Sequence, residues 1–264
     1  MDVTATHPAK GHLGLAEKVL EIDVNATVVA GMHLWNLGEP GGPDVTPNGP
    51  DWSVTRFYDY YADAQQVIQD KIRPLFDTAR AADVQVVHIA TRRYARHYPQ
   101  YDRTLLKYSN GDSYESPGCV DTSWEDEYFR DRLGMGSSEA RREFDRVKNK
   151  IRVAQCVAPK PEDEVILNGG QLNNLLRERK ANTIIYTGFA TNFCLQESPG
   201  GLVDMRERGY RLIVVRDATA ALEDIQSAPE RANLNTAIAH IERDFGYSCT
   251  AEGLISALDS LKAT

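Results

Sequence analysis

The stretch of sequence that decides the fold is residues 182–194, NTIIYTGFATNFC. Its first part, Thr183–Phe189, is an apolar run with the length of a buried strand. A Thr-Gly pair, small residues and then Cys194 follow, at the point where a turn or helix can begin. In a parallel sheet this order puts the thiol at the carboxyl edge of a strand, where backbone N–H groups point at a bound ligand. Such dipoles favour a nucleophilic thiolate, and amides of the same turn can hold an oxyanion.

Apolar runs of the same kind recur along the chain, and most of them are followed by segments with helical spacing. The predicted strands cover residues 27–30, 84–90, 164–167, 183–189, 211–216 and 247–250. The predicted helices cover residues 60–82, 170–180, 202–208, 228–244 and 251–261. Strands that alternate with helices form βαβ units, so the sequence predicts an α/β fold with a parallel sheet and right-handed crossovers.

Composition excludes several functional classes. The 264 residues include 38 acidic and 30 basic side chains, and no Lys/Arg-dense stripe argues for a nucleic-acid partner. No apolar stretch approaches the roughly 20 residues of a membrane span. The N-terminal residues lack the apolar core of a signal peptide, and the four cysteines form no C-x-x-C pair. We therefore predict a reduced, cytoplasmic protein in which Cys119, Cys156 and Cys249 are small buried residues.

Two segments interrupt the alternation of strands and helices. Residues 37–55 contain four prolines and four glycines directly after the first strand, and we predict that they form a lid over the pocket. Residues 91–157 are rich in arginine and tyrosine. They either border the same pocket or form an ordinary surface excursion, and the sequence leaves both interpretations open.

The residues around Cys194 carry a resemblance to a known family. Thr187–Cys194, TGFATNFC, resembles the T-G-x-x-T-x-x-C signature of the isochorismatase-like cysteine hydrolases, which include nicotinamidases, N-carbamoylsarcosine amidohydrolase and biuret hydrolase. Four further segments are similar to family strands and helices: ATVVAGMH (26–33), DVQVVHIATRR (83–93), RGYRLIVVRDATAA (208–221) and AIAHIERDFGYSCTAEGLISAL (237–258). The resemblance covers most of residues 26–261.

The resemblance implies a three-layer α/β/α, Rossmann-like fold with a mainly parallel six-stranded sheet, and a homo-oligomer, either a dimer or a tetramer. Residues 26–264 would form a single domain after an N-terminal extension, residues 1–25. The family hydrolyses small C–N bonds through a cysteine thioester. Carried over, Cys194 is the nucleophile, a cis peptide bond joins Phe189 to Ala190, and the N–H groups of Ala190 and Cys194 form the oxyanion hole.

Three positions depart from the family pattern. Gly31 stands where the first strand normally ends in the aspartate that acts as base. The segment Val165–Leu172, VILNGGQL, is shorter than its family counterpart and lacks the usual lysine. Residues 196–201, QESPGG, resemble an insertion that shortens or kinks the helix after the cysteine. The catalytic set of the family therefore cannot be transferred whole.

Two residues are candidates for the missing base. His33 lies two residues after Gly31, so both side chains point to one face if the strand continues. A Cys194/His33 pair would provide thiolate–imidazolium chemistry near neutral pH. The alternative is that His33 binds substrate or contacts the lid. Glu197, about one helical turn past Cys194, is the second candidate, and a solvated or capping glutamate is its alternative.

Further residues are candidates for substrate binding. Trp35, Asn36 and Phe189 are predicted to line the pocket, although Trp35 fits a core position equally well. Asn168 is predicted to donate to substrate, to cap a helix, or to do both. At Asp217, the end of a strand indicates a structural cap. His33, His88 and His97 do not show metal-ligand spacing, so we predict no metal and no cofactor.

Three functions compete at this stage. The leading hypothesis is a cysteine-dependent hydrolase of a small amide, ureide or related C–N substrate. The second is a catalytically silent relative that binds a small molecule or a partner protein in the same pocket. The third keeps the fold but acts on vinyl ethers by acid–base chemistry, as family members without the cysteine do, and the presence of Cys194 weakens it.

Overall fold

The computed structural model describes residues 1–9, 14–45, 58–108, 124–133 and 136–261. Eight strands form one sheet in the order β2-β1-β8-β7-β6-β3-β4-β5. The strands are β1 (Asp2–Pro8), β2 (Leu15–Glu21), β3 (Thr27–Met32), β4 (Gln85–Ile89), β5 (Glu164–Ile166), β6 (Thr183–Phe189), β7 (Arg211–Ala220) and β8 (Tyr247–Cys249). Six of them, β3 to β8, pair in parallel. The predicted α/β fold with a mainly parallel sheet is confirmed.

The strand count is where the sequence prediction was wrong. β1 and β2 pair antiparallel along their whole length, and β1 joins the edge of the sheet through the pair Thr6↔Ser248. The hairpin therefore adds two strands to the six that were predicted. Most residues of β2 are exposed, and polar side chains interrupt its sequence. No apolar run therefore indicates this strand.

Helices connect the strands and lie on both sides of the sheet. They are α1 (Tyr58–Val67), α2 (Arg73–Ala81), α3 (Arg92–Ala95), α4 (Pro99–Lys107), α5 (Trp124–Leu133), α6 (Ser137–Val147), α7 (Gly169–Glu178), α8 (Cys194–Glu197), α9 (Leu202–Glu207), α10 (Ala232–Asp244) and α11 (Ala251–Ser260). A π-helical turn, Ile68–Ile72, joins α1 to α2 in place of the continuous helix that was predicted. None of the helices in the described ranges is long and apolar enough to cross a membrane.

The core is divided by the sheet, because the side chains of each strand alternate between its two faces. Val29, Phe76 and Ile185 belong to the cluster on one face, and Val28, Leu175 and Tyr186 belong to the other. β3 and β6 are buried at every position, as expected for central strands covered on both sides.

The two central strands bring the candidate site together. β3 and β6 are neighbours, with Gly31 opposite Thr187 and Met32 opposite Gly188. Gly188 has a φ of +100°, and a Cβ at this position would lie 2.2 Å from the carbonyl oxygen of Met32. Only glycine fits here, so the signature glycine holds the ends of the two strands in close contact.

Candidate functional site

Cys194 lies at the carboxyl edge of the sheet, five residues after the end of the central strand β6, and it is the first residue of α8. The side chain is half-buried. A cis peptide bond joins Phe189 to Ala190, at the predicted position. The carbonyl of Ala190 accepts from the N–H groups of Phe193 and Leu195, so the segment folds into a tight turn beneath the thiol.

The two amides predicted as oxyanion donors have no acceptor among the described residues. The N–H groups of Ala190 and Cys194 donate to no oxygen within the described part of the chain, whereas that of Thr191 donates to the carbonyl of Ala220 at 2.9 Å. Unpaired amides next to a thiol can stabilise negative charge on a ligand oxygen. These are the two amides that the sequence selected as oxyanion donors.

A network of hydroxyl groups fixes the turn from below. Thr219 Oγ1 donates to the carbonyl of Gly188, and the hydroxyls of Thr191 and Thr219 are 2.6 Å apart. Gln196 Nε2 donates to the carbonyl of Thr191 at 2.8 Å, and its Oε1 lies 3.1 Å from Nδ1 of His240 on α10. The cysteine turn is thus tied to β7 and to α10.

Five aromatic rings form a wall of successive contacts that ends at Phe189, five residues before Cys194. His33 stacks on Trp35 with ring centroids 5.2 Å apart, and Trp35 lies 6.5 Å from Tyr61. Tyr60 contacts Tyr61 at 5.0 Å and meets Phe189 edge-on at 6.4 Å. We call these five residues the aromatic wall. It brings the predicted residues His33, Trp35 and Phe189 into one surface.

The tyrosines near the thiol are residues that the sequence analysis missed. Burial, followed by the charges of Tyr61 and of a Cys194 thiolate, raises the pKa of Tyr60. Burial and the thiolate likewise raise the pKa of Tyr61, and Tyr94 is affected in the same sense. These hydroxyls therefore stay protonated at neutral pH and lie within electrostatic range of the sulfur. The tyrosine-rich run at residues 58–61 was the available signal.

The position of the missing aspartate is filled by apolar side chains. A Cβ built on Gly31 would lie 2.7 Å from Cδ1 of Leu34 and 2.8 Å from Cζ of Phe76. Both of these side chains are buried. The structure therefore has no room for a carboxylate at this position, and the departure from the family pattern extends to the surrounding packing.

His33 does not continue the strand. β3 ends at Met32, and His33 has a φ of +48°, so the expectation that Gly31 and His33 share one face of a continuing strand is wrong. The side chain is nevertheless buried, and its Nδ1 has no hydrogen-bond partner in the described part of the chain. Burial lowers the pKa of His33 to about 4, which keeps the imidazole neutral at neutral pH.

Asn36 and Trp35 tie the start of the lid to the segment at 150–153. Asn36 Oδ1 accepts from the N–H of Arg152 at 2.7 Å, and Nδ2 donates to the carbonyl of Lys150 at 3.2 Å. Trp35 pairs with Val153 in an isolated bridge. The end of the segment 91–157 therefore contacts residues beside the aromatic wall. Of the predicted lid, residues 46–55 lie outside the described residues.

Asn168 and Glu197 have separate surroundings. Asn168 is the N-cap of α7, where its Oδ1 accepts from the N–H of Gln171 at 2.9 Å, so the capping interpretation is confirmed. Glu197 is the last residue of α8, and its side chain is exposed. The helix ends there, before Ser198–Gly201 and the next helix, α9, which confirms the predicted interruption.

The remaining candidates are Asp217, the other cysteines and the possible metal ligands. Asp217 Oδ1 accepts from the N–H of Ala251 at the start of α11, as the capping interpretation predicted. Cys249 is buried, and burial raises its pKa to about 12, whereas Cys156 is exposed and its prediction as a buried residue was wrong. Cys119 lies outside the described residues. Within the described ranges, no group of three or more His, Cys, Asp or Glu side chains is placed to hold a metal ion.

Comparisons with known proteins found a matching family model and similar solved structures. The family model for the isochorismatase domain matches residues 55–252. A cysteine hydrolase from Pseudomonas syringae pv. phaseolicola 1448A superposes with a TM-score of 0.55 at 21% identity, covering 91% of this chain and 96% of that one. An isochorismatase-like hydrolase from Alkaliphilus metalliredigens superposes with a TM-score of 0.49 at 16% identity, covering 88% and 98%.

A curated relative matches a shorter region. The ureidoacrylate amidohydrolase RutB of Methylobacterium radiotolerans is 37% identical over 87 residues, which are 33% of this chain and 30% of that protein. The match thus spans less than a third of the relative's length. The family model, by contrast, covers well over half of this chain. The chain therefore belongs to the isochorismatase family.

Proposed function

We propose that the protein is a cysteine-dependent hydrolase of a small amide, ureide or related C–N substrate. The observation that carries this proposal is the position of Cys194 at the end of the central strand, beside two amides without an acceptor. Acyl transfer to a cysteine needs a thiol as nucleophile and N–H donors that hold the oxyanion. The names of two relatives, a cysteine hydrolase and a ureidoacrylate amidohydrolase, support the same reaction class.

The proposed reaction proceeds through a thioester. The Cys194 thiolate attacks the substrate carbonyl carbon, and the resulting oxyanion accepts hydrogen bonds from the N–H groups of Ala190 and Cys194. Collapse of this intermediate breaks the C–N bond and releases ammonia or an amine, which takes up the proton that the thiol gave away. A water molecule then attacks the thioester, releases the acid, and restores the thiol.

His33 is the proposed carrier of that proton. Its Nδ1 is free of hydrogen bonds, and its lowered pKa keeps it neutral at pH 7, so it is able to accept a proton. The same lowered pKa makes it a weak base, which favours a slow reaction. Trp35 and Phe189 of the aromatic wall are proposed to bind an apolar part of the substrate, with Asn36, Asn168 and Glu197 as further contacts.

One observation favours a second candidate function. The apolar packing of Leu34 and Phe76 occupies the place of the family's aspartate. A relative that has lost its base can retain the pocket for binding alone. The second candidate is therefore a catalytically silent protein that binds a small molecule or a partner in this pocket.

Alkylation of the cysteines separates the two candidates. The rate of iodoacetamide labelling is measured against pH and assigned to each cysteine by peptide mass spectrometry. For an activated nucleophile, Cys194 reacts fastest, with a midpoint well below the roughly 8.5 of a free thiol. The exposed Cys156 provides the internal control for simple accessibility. Slow labelling of Cys194 with an ordinary midpoint favours the binding protein.

A substrate panel tests the reaction itself. Release of ammonia or amine is measured for small amides and ureides, with Cys194→Ala as the reference. Release above this reference supports the hydrolase, and a panel that never exceeds it contradicts the proposal.

We further propose that the protein works in the cytoplasm as a homo-oligomer, a dimer or a tetramer, on a small-molecule substrate. Size-exclusion chromatography with light scattering measures the oligomeric state.

A further inference from the structure

A cleft lies between the N-terminal hairpin and α10, away from the cysteine turn. Its volume is about 630 Å³, which is within the usual range of roughly 300–1,000 Å³ for small-molecule sites. Leu15 of β2 and Leu234 and Ile238 of α10 provide an apolar lining. Three charged residues, Glu17, Arg216 and Glu242, line the same cleft.

Glu242 is a buried carboxylate with one oxygen unused. Its side chain is only 4% exposed. Oε1 accepts from the hydroxyl of Ser248 at 2.6 Å, but Oε2 is buried and has no hydrogen-bond partner among the described residues. An ionised carboxylate normally has all its acceptor sites satisfied when it is taken out of water. A donor in the cleft can reach this oxygen when the Glu242 side chain turns toward it, and such a donor would satisfy the carboxylate.

Arg216 provides the opposite charge. Its Nη1 donates to Thr6 Oγ1 and to Ser248 Oγ, both at 3.0 Å, which fixes the guanidinium in place. No carboxylate within the described residues forms an ion pair with it. Ser248 contacts both Arg216 and Glu242, so a single hydroxyl oxygen lies between the cation and the anion.

We propose that this cleft binds a small zwitterion, in which an ammonium group and a carboxylate lie close together on an aliphatic body. The ammonium donates to Glu242 Oε2, and the carboxylate accepts from the remaining N–H groups of Arg216. The aliphatic body packs on Leu234 and Ile238. An apolar α-amino acid has this chemistry, because its two charges are separated by one carbon atom.

Calorimetric titration of the intact protein with L-leucine tests the proposal. Two half-probes accompany it: isopentylamine, which lacks the carboxylate, and 4-methylpentanoate, which lacks the ammonium. We expect leucine to bind and each half-probe to bind about tenfold more weakly or worse. Absence of leucine binding at millimolar concentration overturns the proposal, and an amine that binds as well as leucine overturns the zwitterion assignment.

Two variants locate the binding. Glu242→Gln keeps the shape of the side chain but removes its charge, and we expect affinity for leucine to fall about tenfold. Ala239→Trp fills the cleft from an exposed position of α10 and should abolish binding, whereas Thr236→Trp on the same helix, outside the cleft, should preserve it. Equal binding by Ala239→Trp would place the ligand elsewhere and overturn the proposal, even if Glu242→Gln failed to fold.

The titration is independent of the proposed hydrolase. Repeating it with Cys194→Ala separates the two claims, since the cleft does not include the cysteine turn. Binding that survives in this variant supports a second site. Loss of binding would assign leucine to the cysteine pocket and overturn the inference.

Discussion

The ends of the two central strands differ in what they retain. At the end of β6, the turn that carries Cys194 keeps its glycine, its threonine network and two unpaired amides. At the neighbouring end of β3, Gly31 stands where the family resemblance predicts a carboxylate, and Leu34 and Phe76 fill the space. The first end depends on backbone groups, and the second on a side chain. A single substitution is enough to remove a carboxylate side chain. Backbone N–H groups, by contrast, stay in place for as long as the turn folds.

The largest expected effect tests the β6 end. Cys194→Ser should reduce turnover of any substrate found by about a thousandfold or more, because the hydroxyl is a far poorer nucleophile at neutral pH. Steady-state kinetics measures this loss. Cys156→Ser, at an exposed site, is the matched control and should retain full activity. Comparable activity in Cys194→Ser would remove the cysteine from the mechanism.

The β3 end is tested by restoring the aspartate. Gly31→Asp should lower the free energy of unfolding by about 4 kcal/mol, because its Cβ clashes with Leu34 and Phe76 and its carboxylate is buried. Urea denaturation measures the change. Gly31→Ala introduces the clash without the charge and should cost less. A stable Gly31→Asp protein with raised activity would show that the apolar packing yields easily.

His33, directly after β3, should make the free energy of unfolding depend on pH. The pKa of His33 is about 4 in the folded protein, against 6.5 for an ordinary histidine. Because the unfolded chain binds this proton more readily, the free energy of unfolding should fall below pH 6.5 and level off below pH 4. The total decrease is about 3 kcal/mol. Urea denaturation across this range measures it, and His33→Asn should remove that part of the slope. An unchanged slope in the variant would contradict the burial argument.

A smaller effect sharpens the description of the β6 end. Thr219→Val should lower the free energy of unfolding by about 2 kcal/mol, since it removes the hydroxyl that donates to the carbonyl of Gly188 and pairs with the hydroxyl of Thr191. Thermal denaturation with van't Hoff analysis measures the loss. Thr236→Val makes the same chemical change at an exposed position and should have little effect. Equal costs in both variants would argue against the network.

The smallest effect concerns Glu197. This glutamate is exposed, so Glu197→Gln should change the free energy of unfolding by less than about 0.5 kcal/mol and leave kcat within about twofold. Kinetics and denaturation measure both. A loss of more than about tenfold in kcat would instead identify Glu197 as the base and remove His33 from that role.

Sequence patterns predicted the regular secondary structure of the central sheet. β6 (Thr183–Phe189) was placed at its observed bounds, because a buried parallel strand is a continuous apolar run. The cysteine turn followed from the signature. The turn of the chain at His33 was not predictable, because its positive φ depends on packing around the strand end and not on residue type. The tyrosines on α1 were missed for a related reason: only the fold brings them to Cys194.

The N-terminal hairpin has a consequence for how the chain is made. Its strands are synthesised long before their partner β8, which begins at Tyr247. Thr6 can therefore meet Ser248 and Arg216 only after the whole intervening chain has left the ribosome. Until then the hairpin has an unpaired edge, which other chains can recognise. Completion of the sheet is consequently a late event that joins residues far apart in the sequence, and such non-local pairing is intrinsically slow and exposed to aggregation.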